Sequence, residues 1–270
     1  MAQDRQSKSP PSFNASLIVI AAITMLLVLS ADWLRPQAPG PSEEANHGLP
    51  AMPDFSSFDT TAAKKKAFFR WLTPYIEQEN ARIEGTRQRI LTLQHAGTLS
   101  AADRQWLDDT AAYYDVVPVK PESPDFWETL LRRVDVVPVS LALAQAANES
   151  GWGTSRFAVL ANNLFGEWCF RKGCGIVPAN RPAGQYHEVR RFPDIADSVR
   201  SYLHNLNTHN AFSALRHKRE KLRQAGRKLA GSLLVQGLLR YSARGEDYIH
   251  EILVMIRHNR LERFDKPSYM

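Results

Sequence analysis

Residues 144–168 read AQAANESGWGTSRFAVLANNLFGEW, and the reading of this stretch decides the fold. Upstream, 139–150 sets Leu141, Ala144, Gln145 and Asn148 at helical spacing, with Pro138 suited to the first turn. Gly151 and Gly153 then stop the helix. One acid, Glu149, is left in the last turn of an apolar helix. An apolar surround disfavours the carboxylate and raises its pKa. The partial negative charge of a helix carboxyl end acts in the same direction. A carboxyl group kept partly protonated near neutral pH can donate a proton to a leaving oxygen. Trp152 is a candidate apolar wall or stacking platform beside it. The plainer alternative for Glu149 is a surface residue at a helix end.

Outward from this stretch the pattern is mostly helical. Towards the amino end, a helical segment opens at Thr61 with Lys64, Lys65 and Lys66 on a solvated face. It is expected to break at Pro74 and to resume over 75–93 with Ile76, Ile83, Ile90 and Leu93 on one face. Ser100 with Asp103 three residues on marks another helix start, and 125–134 forms a further helix. Towards the carboxyl end, 162–192 changes character, with aromatics, glycines and an alternating QYHEVRRF, which predicts a small β-hairpin lobe. Asp194 caps a helix to 207, and further helices are expected over 212–222, 227–239 and 245–261. The basic run between Arg216 and Arg223 reads as a solvated helix face.

The string 144–168 resembles the opening motif of the glucosaminidase family, glycoside hydrolase family 73. The continuation GEWCFRKGCGIVP (166–178) and YHEVRRFPDIADSVRSYLHNLNTHNAF (186–212) is closer still to the Bax-type proteins of Gram-negative bacteria. The resemblance covers 136–261. It implies an α+β, mostly helical, lysozyme-like fold with a short β-hairpin lobe. It implies cleavage of β-1,4 bonds after N-acetylglucosamine in peptidoglycan, with no metal and no organic cofactor. Glu149 falls on the family's general acid and Tyr241 on its active-site tyrosine. Tyr248 matches a second tyrosine of more structural character, and Asn162, Asn163 and Phe165 match the turn that lines the substrate cleft. Trp152 joins these as a substrate-binding candidate. Many members carry a second glutamate on the hairpin lobe. Glu188 is the nearest carboxylate here, with a salt bridge to Arg190 or Arg191 as its plainer role. Glu167 is a further candidate. The alternatives are a lytic transglycosylase on the same polymer and an inactive, membrane-tethered wall-binding module.

The amino-terminal residues address the compartment. Residues 15–31, ASLIVIAAITMLLVLSA, are uncharged and apolar. At about 1.5 Å per residue the run just spans a bilayer core. Arg5 and Lys8 precede it, while Asp32, Glu43 and Glu44 follow, which places residues 1–14 in the cytoplasm and the body of the chain outside. The run is long for a signal-peptide apolar region and its small-residue cleavage site is poor, so a retained inner-membrane anchor over 15–34 is the expectation. The expected location is therefore the inner membrane, single-pass, with the catalytic part in the periplasm, or the periplasm itself where the segment is a cleaved signal peptide. Residues 35–60, with five prolines, read as a linker. Residues 61–135 and 136–264 then form the helical amino-terminal part and the catalytic part.

Composition narrows the remaining choices. Hydrophobic residues at 44% and charged residues at 23% exclude wholesale disorder and a multi-span membrane protein. The net charge of +6 favours a polyanionic neighbourhood, but there is no basic stripe interleaved with aromatics and no zinc-finger spacing, which excludes nucleic acid as the leading partner. Peptidoglycan glycan strands are the expected partner. The two cysteines, Cys169 and Cys174, lack the histidine spacing of a zinc site. In a cytosolic protein they would be inert thiols; in an exported one they are expected to close a small disulfide loop.

Overall fold

The computed structural model describes residues 48–116, 123–182 and 184–266. The expected membrane segment at 15–34 lies outside the described residues. Among these, no helix is long and apolar enough to cross a membrane.

The centre of the molecule is a short helix wrapped by longer ones. Helix α1 (Thr61–Gln94) is followed by α2 (Ala101–Tyr113), α3 (Pro124–Arg133) and α4 (Val139–Glu149). Every residue of α4 from Val139 to Ala147 is buried. A helix apolar on all sides has no solvent face and must be enclosed. It is enclosed by α1, by α8 (Gly231–Leu234), by α9 (Glu246–His258) and by a closing 3-10 turn, Leu261–Phe264. Between them lie α5 (Arg156–Ala161), the strands β1 (Trp168–Cys169), β2 (Gly175–Ile176) and β3 (Glu188–Arg190), then α6 (Ile195–Thr208) and α7 (Ser213–Gln224). The result is a mostly helical α+β fold.

Several sequence expectations are corrected. Helix α1 runs unbroken through Pro74. Proline cannot supply the N–H that the carbonyl four residues back would receive. That carbonyl belongs to Arg70, which is solvent-exposed, while Phe68, Phe69, Trp71, Leu72, Tyr75 and Ile76 bury one continuous face on both sides of the proline. Packing outweighs the local break. The small lobe is not a hairpin but a three-stranded antiparallel sheet of order β1-β3-β2. Trp168 pairs with Val189, and Ile176 pairs with Val189 from the other side. The expected helix over 227–239 shrinks to α8 and a 3-10 turn, Val235–Leu238. Close approach explains it: a Cβ on Gly237 would lie 2.4 Å from the Leu215 Cα.

The basic run of α7 is solvated only in part: His217, Lys218 and Lys221 are exposed, and two of its arginines are not. Arg219 is fully buried and Arg216 nearly so. The Arg219 guanidinium donates to the carbonyls of Arg132, Asp135 and Val136 at 3.0–3.1 Å. Arg223 grips both carboxylate oxygens of Asp135 at 2.5–2.9 Å. Carbonyls past the end of α3 need donors, and a buried guanidinium supplies several in one plane. Nor is the 35–60 stretch, in its described part, a free spacer. Phe55 is 2% exposed and belongs to the core, with Leu49, Met52 and Phe58 packed against it.

Candidate active site

Helix α4 ends at Glu149, and the loop after it is held by its own hydrogen bonds. The Ser150 hydroxyl donates to Ala146 O at 2.6 Å and accepts from Gly153 N at 2.8 Å. Trp152 N donates to Ala147 O at 3.0 Å, with Trp152 at φ 63°. Ser155 then caps α5. After α5 the chain turns back, and Gly166 comes close to the acid: a Cβ there would lie 4.0 Å from Glu149 Oε2.

A chain of hydrogen bonds leads towards Glu149. Tyr202 OH donates to Gln145 Oε1 at 2.6 Å. Gln145 Nε2 donates to Tyr248 OH at 2.8 Å. Tyr248 in turn lies beside the Glu149 carboxylate and pulls its pKa down. Gln145 stands one helical turn before Glu149, on the same side of α4. These two bonds fix the direction of the Tyr202 hydroxyl and of the Gln145 side-chain amide. Asn148 Nδ2 adds a donor to Glu149 Oε1 at 3.2 Å.

Burial pushes the Glu149 carboxyl above its ordinary range. The Tyr248 and Asn148 hydrogen bonds and the Arg244 charge pull it back only in part. Arg244 was not singled out by sequence reading. It pairs with Glu251 at 2.6 Å and lies 5.6 Å over the Tyr248 ring, at the rim of the site. The residues missed most directly are Gln145 and Tyr202. A glutamine inside an otherwise apolar helix, four residues before the acid, was the available signal.

Tyr241 joins the site as well. It is buried, its ring stacks on Tyr248 with centroids 5.4 Å apart, and its hydroxyl donates to Phe165 O at 3.0 Å. Phe165 stacks face to face on Tyr202 at 3.8 Å. Burial and the nearby Glu149 charge both raise the Tyr241 phenol, so it remains protonated. Glu149, Tyr241, Tyr248 and Phe165 are thus brought into one cluster.

The other sequence candidates occupy different places. Asn162, in the left-handed region at φ 52°, donates to Phe192 O and Pro193 O at 3.1 Å. Asn163 is buried and clasps Glu167 and Arg190 through their backbones at 2.8–3.1 Å. Both shape the turn. Trp152 packs edge-on to Phe69 and Phe68 of α1 at 5.3 and 6.0 Å, with Lys65 Nζ 4.8 Å over its ring.

Glu188 lies in the small sheet, and neither Arg190 nor Arg191 is its partner. Its two oxygens accept from Gly173 N at 3.0 Å and Gly175 N at 2.8 Å, which hold its pKa below the ordinary range. These amides flank Cys174, which forms a disulfide with Cys169. Glu167 is buried and accepts from Ser201 Oγ at 2.7 Å.

The arrangement raises the pKa of one carboxyl group, beside buried phenols that stay neutral. Comparison with known proteins identifies the family. Residues 125–261 match the glucosaminidase family, described as mannosyl-glycoprotein endo-beta-N-acetylglucosaminidase. Protein bax of Escherichia coli (strain K12) is 36% identical over 209 residues, covering 77% of this chain and 74% of that protein. No solved structure gives a match. With a family match that takes in the acid-bearing loop, the tyrosine cluster and the small sheet, the chain belongs to the glucosaminidase family.

Proposed function

We propose that this protein is a peptidoglycan hydrolase of lysozyme-like fold that cleaves β-1,4 glycosidic bonds after N-acetylglucosamine, with Glu149 as general acid. One observation carries the reading: a carboxyl group whose pKa is raised by burial lies beside the Tyr202–Gln145–Tyr248 hydrogen-bond chain. Protonated Glu149 donates to the glycosidic oxygen as the bond breaks towards an oxocarbenium-like transition state. The Tyr248 hydroxyl beside the carboxylate left behind stabilises it. The Tyr241 proton is directed to the Phe165 carbonyl, so its oxygen lone pairs are available to orient the acetamido group of the sugar. The apolar run at 15–31 supports a periplasmic placement next to the inner membrane.

A second reading, lytic transglycosylase, has its own support. Both Glu188 oxygens are occupied by loop amides, and Glu167 is engaged by Ser201. A single acid with no base for water suits internal attack by the sugar, which leaves an anhydro product. The test is digestion of purified peptidoglycan with the full-length protein and with Glu149→Gln, followed by mass spectrometry of the fragments. Reducing N-acetylglucosamine ends, absent with the variant, are expected. Anhydro-muramic ends would move the assignment to the transglycosylase. Binding without any fragments would reduce the protein to a wall-binding module.

A further inference from the structure

The chain before α1 reaches the acid-bearing loop. Pro50 O accepts from Trp71 Nε1 at 3.0 Å and from Tyr75 OH at 2.6 Å, which pins residues 49–58 along α1. Phe55 then turns inward, edge-on to Phe68 and Trp71 at 5.3 Å. Its ring rests on the backbone of Gly153: a Cβ there would meet Phe55 Cδ2 at 2.5 Å and Phe68 Cε2 at 3.3 Å. Next to it, Trp152 holds φ 63°, in a region that bulky residues enter only under constraint. Phe68 and Phe69 provide that constraint. Phe55, Phe68 and Phe69 all precede residue 125, where the family match begins.

We infer that residues 49–58 are a strap that positions the catalytic loop, with Phe55 as a positioning residue acting through Trp152–Gly153 on Glu149. The family-matched segment is therefore incomplete by itself. Its acid loop is finished by the segment that leads directly from the amino-terminal region. The functional half of this inference rests on Glu149 being the acid; the packing half does not. Phe55 touches no substrate. Its removal leaves a void under Gly153, frees the strained Trp152, and lets water reach the end of α4.

The experiment compares the full-length protein with Phe55→Ala and Phe55→Leu by two readouts. The first is hydrogen–deuterium exchange followed by mass spectrometry. Phe55→Ala is expected to raise exchange over 150–155 by about tenfold while 246–258 stays unchanged, and Phe55→Leu to restore most of the protection. The second is kinetics on soluble glycan fragments. In Phe55→Ala, kcat is expected to fall by about 10- to 100-fold with KM within about twofold. The upper limb of its pH profile is expected to move to lower pH as Glu149 becomes wetter. Equal exchange increases across the whole chain, or none over 150–155, would overturn the strap. So would a lowered kcat with an unmoved pH profile. An inactive wild type with selective exchange over 150–155 would sink the glycosidase reading and leave the strap standing.

Discussion

Two carboxylates stand at opposite ends of α4, and they are treated in opposite ways. Asp135 lies just before the helix and is buried, Glu149 is its last residue and is half-buried, and both are desolvated. For Asp135, burial alone would raise the pKa. The Arg219, Arg223 and Arg87 guanidinium groups outweigh it, and the net shift is downward. For Glu149, burial wins, because its partners are a phenol, an amide and a rim arginine already paired with Glu251. The first site ties α1, α3 and α7 together around a fixed anion. The second keeps a proton available. Desolvation is common to both ends, and the identity of the neighbours decides whether a buried acid is structural or chemical.

The comparison can be broken at either end. The largest effect is expected from Glu149→Gln, which should lower the rate of peptidoglycan solubilisation by about 10²- to 10⁴-fold. The same variant sharpens the contrast in stability. A carboxyl whose folded pKa is raised penalises the folded state once pH exceeds its unfolded value of about 4.3. Glu149→Gln should therefore unfold at higher denaturant concentration than wild type at pH 7, and the difference should vanish below the unfolded pKa. A variant less stable than wild type at pH 7 would contradict the electrostatic account.

Asp135→Asn should do the reverse, sparing the chemistry and damaging the fold. It leaves buried arginines without their counter-charge, which costs about 3–5 kcal/mol, measured by equilibrium unfolding in urea. The wild-type contribution has the sign of a depressed acid. It is fully present above the unfolded pKa of about 3.9 and is lost as pH falls through the lower folded value. An unfolding midpoint for Asp135→Asn equal to wild type at neutral pH would show that the network adds no net stability.

Tyr248→Phe tests the chain that leads towards Glu149. The lost hydroxyl is one of the groups that lower the Glu149 pKa. The alkaline limb of kcat/KM should move to higher pH, and the rate at the optimum should fall by about tenfold. A limb that moves the other way would mean that the phenol does not contact the acid. The smallest effect is expected from Glu188→Gln. As the anchor of the Gly173 and Gly175 amides, it should cost about 1 kcal/mol of stability. Its expected activity loss is under about fivefold, whereas deleting a required base costs about 10²-fold or more. A loss of that larger size would restore Glu188 as the second catalytic carboxylate.

Much of the molecule was legible in one dimension. Ser100 and Asp194 cap the helices assigned to them, through bonds to Asp103 N and Asp197 N. The Asn-Asn turn, the cysteine pair and the acid at the end of an apolar helix all lie within short segments, where side-chain chemistry and spacing carry the information. What was not legible depends on partners far away in the chain. Pro74 looked like a break because the apolar face around it is held by α4 and α6, far along the chain. Arg219 looked solvated because the carbonyls it serves are at Arg132, Asp135 and Val136. Gln145 looked like one more helical residue because its partners, Tyr202 and Tyr248, lie on α6 and α9.

The sequence by itself determined the helix that carries Glu149, the turn that follows it and the family to which the chain belongs. Those follow from local periodicity, capping and a motif of fixed spacing. Only the tertiary structure decided which carboxylate keeps its proton. The pKa of a buried acid is set by the groups that surround it in space, and here these are Tyr248 and Arg244 for one acid and three arginines for the other. The tertiary structure likewise decided that a proline-rich stretch with two phenylalanines packs on the core, because the space that Phe55 fills is made by Gly153, Phe68 and Trp71, residues it meets only when the chain is folded.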